Sequence, residues 1–174
     1  MRYLSNLKAG RRLNNVEALF AAHYAALARV IYRVVGDSGT AEELAAEAFW
    51  KLHRNPPRSD DNLAGWLYRT GLRLGLDHLK KRKRRAHYEA LARWPGPVEN
   101  PEEELARVEE CVRVRLVLAA MKREQAALLV LRSEGCSLSE MASILKLNAS
   151  SVGTFLARAD SAFRKEYVKR YGER

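Results

Sequence analysis

Six consecutive basic residues, Lys80 to Arg85, carry the densest chemistry in this sequence. They end the segment WLYRTGLRLGLDHLKKRKRR (66–85), where an aromatic-led amphipathic stretch runs directly into the charge. Such a run repels itself and gains no stability by folding alone, so the missing partner is a polyanion. An acidic stretch and a second helical unit follow, and that order points to nucleic acid and to transcription. Catalytic motifs are absent: there is no P-loop, dinucleotide glycine pattern, HExxH pair or nucleophile elbow. The chain therefore reads as a non-enzyme without a cofactor. His23, His53, His78 and His87 show no ligand spacing, so no metal is expected.

The charge is unevenly placed. Net charge is +10 over 174 residues, yet residues 1–94 hold 18 Lys/Arg against 9 Asp/Glu, while residues 95–174 hold 13 against 12. The anion-seeking surface is N-terminal. Cys111 and Cys136 are too far apart for a CxxC motif and too few for a disulfide framework, which fits a reducing cytoplasm. Cys111 reads as a small buried hydrophobe. Cys136, beside Gly135 near a helix start, stands where a thiolate is favoured. Val16 to Val35 is the most apolar stretch, but Glu17, His23, Arg29 and Arg33 interrupt it, so no signal peptide or membrane insertion is expected.

The elements that must position the basic run are helices. Val16, Leu19, Phe20, Tyr24, Leu27, Ile31 and Val34 recur at helical spacing and predict a first helix ended by Gly36 and Gly39. Thr40 and Glu43 have capping-box spacing, so a second helix is expected from about Ala41, with Leu44, Ala48, Phe49 and Leu52 inward and Asn55-Pro56-Pro57 as its stop. A third helix turns Leu63, Trp66, Leu67, Thr70 and Leu74 inward. Trp66 on that stripe reads as core, while Trp50 sits beside its own stripe and suits a partly exposed docking face. Gly71 and Gly75 read as a close helix contact, and Asp77 as a bond to a neighbouring helix or basic side chain.

Trp94-Pro95-Gly96-Pro97 breaks regular structure, and Asn100-Pro101-Glu102 reads as an N-cap, a first-turn proline and a first-turn carboxylate. The next helix carries Leu105, Val108, Val112, Leu116 and Ala119 inward. Another runs from about Lys122 to Ser133 and ends at Gly135. Ser137 and Glu140 cap a short helix to Leu145, and Lys146-Leu147-Asn148 turns into a last helix through about Tyr167. The fold class is all-α: two small helical domains joined by a linker, with boundaries at 1–85, 86–104 and 105–174. A short capped helix, a three-residue turn and a longer helix fit either a helix-turn-helix or an ordinary helical hairpin. In the first case Val152, Leu156, Ala159 and Phe163 pack inward and Ser150, Ser151, Thr154, Ala157, Arg158 and Ser161 face outward.

In order and spacing, AEELAAEAFWKL (41–52), WLYRTGLRLGLDHLKKRKRR (66–85), EGCSLSEMASILKLNASSV (134–152) and LARAD (156–160) resemble bacterial RNA polymerase sigma factors of the extracytoplasmic-function (ECF) group. The resemblance implies a cytoplasmic subunit that directs core RNA polymerase to promoters and melts the minus-ten element. It implies core polymerase docking through the second helix, with Glu43, Glu47 and Trp50 on the contact face. Minus-ten DNA would be held by Arg58, Asn62, Arg69, Arg73, Lys80, Lys81, Arg82, Lys83, Arg84 and Arg85. The C-terminal helix-turn-helix would read minus-thirty-five DNA through Ser150, Ser151, Thr154 and Arg158. The partners implied are core RNA polymerase, promoter DNA and an anti-sigma factor.

The chain departs from the family pattern at several positions. Ala46 stands where Gln is usual, Leu72-Arg73 where Arg-Asn is usual, and Met121-Lys122 where Leu-Pro opens the second domain. Gly153, Phe155 and Asp160 replace basic residues of the recognition helix, and residues 136–160 carry no net charge. Phosphate neutralisation supplies much of DNA affinity, so two alternatives stand beside the sigma reading. One is a sigma-derived factor whose C-terminal domain binds a protein partner. The other is a general basic nucleic-acid binder, against which Glu42, Glu43 and Glu47 speak.

Overall fold

Gly36 takes a φ of +76°, a conformation that costs glycine no Cβ clash, and it ends the first helix, α1 (Tyr3–Val35). The chain reverses there into α2 (Ser38–Arg54). The N-cap is Asp37, whose side chain accepts from the Thr40 amide at 2.7 Å. This corrects the expected Thr40 cap: an aspartate directly after the turn glycine captures the first free amides, and α2 starts three residues earlier. After Asn62 comes α3 (Leu63–Glu89). The second half holds α4 (Pro101–Ala120), α5 (Arg123–Ser133), α6 (Leu138–Leu145) and α7 (Ala149–Tyr171). This computed structural model describes residues 3–57, 62–89 and 101–172, and no strand occurs among the described residues. The all-α expectation is borne out.

Helix occupies both margins of the expected 86–104 linker. α3 runs straight through the basic run to Glu89, because Lys and Arg are good helix formers. Pro101 opens α4 with its φ already helical. α1 likewise begins at Tyr3, well ahead of the apolar pattern that announced it.

Three helices make the first layer. Leu27, Val30, Ile31, Val34 and Val35 of α1 are buried, so the apolar stretch Val16–Val35, long enough to cross a membrane, turns its stripe into the protein core. α2 presents Ala41, Ala45, Ala48, Phe49 and Leu52, whose small side chains let it lie close. α3 buries Leu67, Thr70, Leu72, Leu76 and Leu79, with Leu63, Trp66 and Leu74 partly buried against the same core. The Gly71 and Gly75 spacing is a close contact with α1: a Cβ on Gly71 would lie 2.7 Å from Leu27 Cδ1, and one on Gly75 would lie 3.5 Å from Ile31 and Val34.

In the second half the inward residues of α4 are Val117, Leu118 and Ala119, followed by Met121. Val108 and Val112, expected inward, are 44% and 41% exposed; the buried residues belong to the C-terminal half of α4, and the helix packs on α3, α7 and α1. Cys111 lies on the same open side and is exposed, not buried. Gly135 (φ +81°) ends α5, and Ser137 and Glu140 form the reciprocal capping box that opens α6. Lys146 adopts the left-handed conformation at the α6 C-cap, and Asn148 caps α7 through its side chain.

Candidate nucleic-acid interface

On α2, Glu43, Glu47 and Trp50 fall at i, i+4 and i+7, opposite the buried alanines, and so share one face. Glu43 is exposed. The Glu47 carboxylate receives Lys51 Nζ at 2.9 Å. Trp50 is 54% exposed and the Arg54 guanidinium stands 5.0 Å from its ring centroid. An acidic pair beside an open indole can engage basic and apolar groups of a protein surface at once.

α3 carries the cations. At about 100° per residue, Asn62, Arg69, Arg73 and Lys80 fall within roughly 60° of one another, a stripe about 27 Å long. Asn62 heads it: its Oδ1 accepts from the Gly65 amide at 2.6 Å, which caps α3. Its Nδ2 donates to the Ser143 carbonyl at 3.0 Å and to Ser143 Oγ at 2.9 Å. Arg69 Nη1 donates to the Ile144 carbonyl, and burial pushes its guanidinium below the ordinary value. Arg73 and Lys81 are exposed and Lys80 is half-buried. Arg82 Nη1 reaches back to the Val35 carbonyl at 3.3 Å, where a cation suits the negative end of α1. Arg58 lies outside the described residues, as do the side chains of Lys83, Arg84 and Arg85, although their backbone continues α3.

On α7, Thr154 and Arg158 are exposed one turn apart. Ser150 is exposed, with its hydroxyl bonded to Asn148 Oδ1 at 2.9 Å, and Ser151 is half-buried. Phe155 packs partly into the core, whereas Gly153 and Asp160 face solvent. Over its first three turns the open face of α7 thus presents hydroxyls and the Arg158 guanidinium, and Lys165 follows on the same face two turns later.

Neither Glu134 nor Asp77 stood out as a site in the sequence, yet both tie the two halves together. Arg29 Nε and Arg33 Nε reach the Glu134 carboxylate at 3.0 and 2.5 Å, and its side chain is only 7% exposed. Burial alone would raise its pKa, but the two guanidiniums outweigh burial and hold it below the usual carboxylate range. Asp77 pairs with Arg123 at 2.6 Å, the neighbouring basic partner that its position suggested. The only sequence signal for Glu134 was its place at the end of α5. The Cys136 thiol is pushed up by burial and by Glu140 and Glu134, so the expected thiolate is disfavoured. No cluster of His, Cys, Asp and Glu able to hold a metal occurs among the described residues.

Residues 19–85 match the family described as sigma-70 region 2. The chain is 41% identical over 80 residues to the probable ECF RNA polymerase sigma factor SigI of Mycobacterium tuberculosis, a match covering 45% of this chain and 28% of that protein. It is 26% identical over 151 residues to the ECF RNA polymerase sigma factor SigW of Bacillus subtilis, covering 79% of this chain and 81% of that one. To the RNA polymerase sigma-H factor of Pseudomonas aeruginosa it is 28% identical over 149 residues, covering 78% and 77%.

Proposed function

This chain belongs to the ECF sigma factors, and from that premise we propose that it is a cytoplasmic promoter-specificity subunit of RNA polymerase. The observation that carries the reading is the division of labour within residues 19–85. The open face of α2 is acidic and aromatic, while α3 presents a stripe of amide and cationic donors. Glu43, Glu47 and Trp50 dock on core polymerase. Arg69, Arg73, Lys80 and Lys81 follow the phosphates of the non-template strand at the minus-ten element, Asn62 stands at the entrance, and Arg58 and Lys83 to Arg85 extend the track at either end. Positive grooves hold single strands in this way, with an affinity that falls as salt rises. The factor has no catalytic role of its own and is held inactive by an anti-sigma factor until induction.

The α6–turn–α7 arrangement is proposed as a helix-turn-helix that reads minus-thirty-five DNA with Ser150, Ser151, Thr154 and Arg158. A specific observation favours a second reading of this part: over the first three turns of that face one exposed guanidinium, Arg158, stands among the hydroxyls of Ser150 and Thr154. A face so poor in cations suits a protein partner that recruits the complex. In-vitro transcription with core polymerase and a random promoter library tests both. Transcripts sharing start-proximal and upstream motifs support full readout, a start-proximal motif alone supports the protein-binding reading of α7, and no binding to core polymerase refutes the sigma assignment.

A further inference from the structure

A cleft of about 420 Å³ opens where α4, α5 and α7 meet the C-terminal end of α1. Ligand pockets span roughly 300–1,000 Å³, so this one suits a small occupant. Leu118, Leu129, Val130 and Phe163 form its apolar wall, and four charged residues stand around it: Arg33, Glu110, Arg115 and Asp160. The polymerase and promoter surfaces use none of the four. Two are already matched. Arg33 is held by Glu134 at 2.5 Å. The Glu110 carboxylate accepts from Tyr167 Oη at 3.0 Å and lies 3.9 Å from Arg113 Nη1.

Arg115 and Asp160 are unmatched. The Arg115 guanidinium lies against the turn at Gly36, where a Cβ would stand 2.7 Å from its Nε. That Nε is buried without an acceptor, and no other buried side-chain nitrogen or oxygen among the described residues is left so. A buried donor without a partner is costly, and a charged one more so. Asp160 is exposed at the edge of the cleft. It stands where the family carries a basic residue, and a carboxylate there repels phosphate, so reading minus-thirty-five DNA gives it no task.

An apolar wall, an unmatched cation from α4 and an unmatched carboxylate from α7 together describe a ligand of three parts. We propose that this cleft binds a small apolar zwitterion of the α-amino-acid kind. The ligand carboxylate pairs with the Arg115 guanidinium through charge-assisted hydrogen bonds. Its ammonium pairs with Asp160, and its side chain lies against Leu118, Leu129, Val130 and Phe163. A plain apolar acid would bring nothing to match Asp160, and a plain amine would leave Arg115 unmet. The proposal is independent of the roles given to α2 and α3.

The test uses the full chain and three compounds with one indole ring: L-tryptophan, indole-3-propionate, which lacks the ammonium, and tryptamine, which lacks the carboxylate. Titrations followed by ligand-observed NMR are expected to show L-tryptophan binding about tenfold more tightly than either analogue, the loss of one charged contact. Asp160→Asn should weaken L-tryptophan about tenfold and leave indole-3-propionate no weaker. Arg115→Gln should weaken L-tryptophan likewise and leave tryptamine unchanged; Asp160→Asn, at an exposed position, carries the test if Arg115→Gln loses helicity. The exposed Cys111 thiol on the cleft wall reports the location. Bound L-tryptophan should slow its alkylation by iodoacetamide, with Cys136 as the internal control. Equal binding of the three compounds overturns the proposal, since an apolar crevice would do the same. So does L-tryptophan binding that neither variant weakens, or that leaves Cys111 alkylation unchanged. L-leucine offers a smaller side chain, and no binding of either amino acid at millimolar concentration also overturns it.

Discussion

Two alanine substitutions four residues apart on α3 should move stability in opposite directions. A Cβ on Gly71 would sit 2.7 Å from Leu27 Cδ1 and 3.0 Å from Ile31 Cδ1. Carbon pairs prefer about 3.5–4.0 Å, and both neighbours are fully buried, so α1 and α3 must part or the side chains must leave their rotamers. Overpacking of this kind costs about 1–3 kcal/mol, partly offset by the gain of about 1 kcal/mol from replacing glycine inside a helix. Gly71→Ala should therefore destabilise by about 1 kcal/mol, within a range from near zero to 2. At Gly75 the same Cβ meets Ile31 and Val34 at 3.5 Å, an ordinary contact. Gly75→Ala keeps the helical gain and adds a buried methyl, so it should stabilise by about 1–1.5 kcal/mol. Urea unfolding followed by far-ultraviolet circular dichroism separates the two. If Gly71→Ala proves as stable as Gly75→Ala, the α1–α3 contact is not the tight seam that holds the stripe in place.

Other consequences are as direct. Glu43→Ala with Glu47→Ala should weaken core polymerase binding about tenfold in a pull-down titration, with single-strand DNA affinity unchanged. Lost DNA affinity instead would favour a general nucleic-acid binder. Lys80→Ala with Lys81→Ala should lower the slope of log affinity against log salt by about 1.4, near 0.7 per phosphate on a single strand; an unchanged slope places the phosphates elsewhere. Glu134 gives a pH dependence of known sign. Its pKa is depressed in the folded protein, so its contribution is fully present above the ordinary carboxylate value and is lost as pH falls through the depressed one. Scattering at descending pH should show the units opening on the acid side, and the Glu134→Gln variant should lose that dependence.

Local signals were read well because they depend on a few neighbouring residues. The turn glycines Gly36 and Gly135, the Ser137–Glu140 box, the Asn148 cap and Pro101 each declare a helix end through their own conformational preferences. The misreadings share a different cause. Thr40 matched a capping pattern, but Asp37 competed for the same amides and was placed first by the turn. Val108, Val112 and Cys111 follow helical spacing, yet a periodic stripe does not say which part of it a neighbour will cover. Spacing places Glu43, Glu47 and Trp50 on one face of α2 and the cations on one stripe of α3, while the roles of both faces come only from the family resemblance. That Asn62 and Arg69 are engaged by α6, or that Arg82 caps α1, depends on contacts between residues 47 to 81 positions apart.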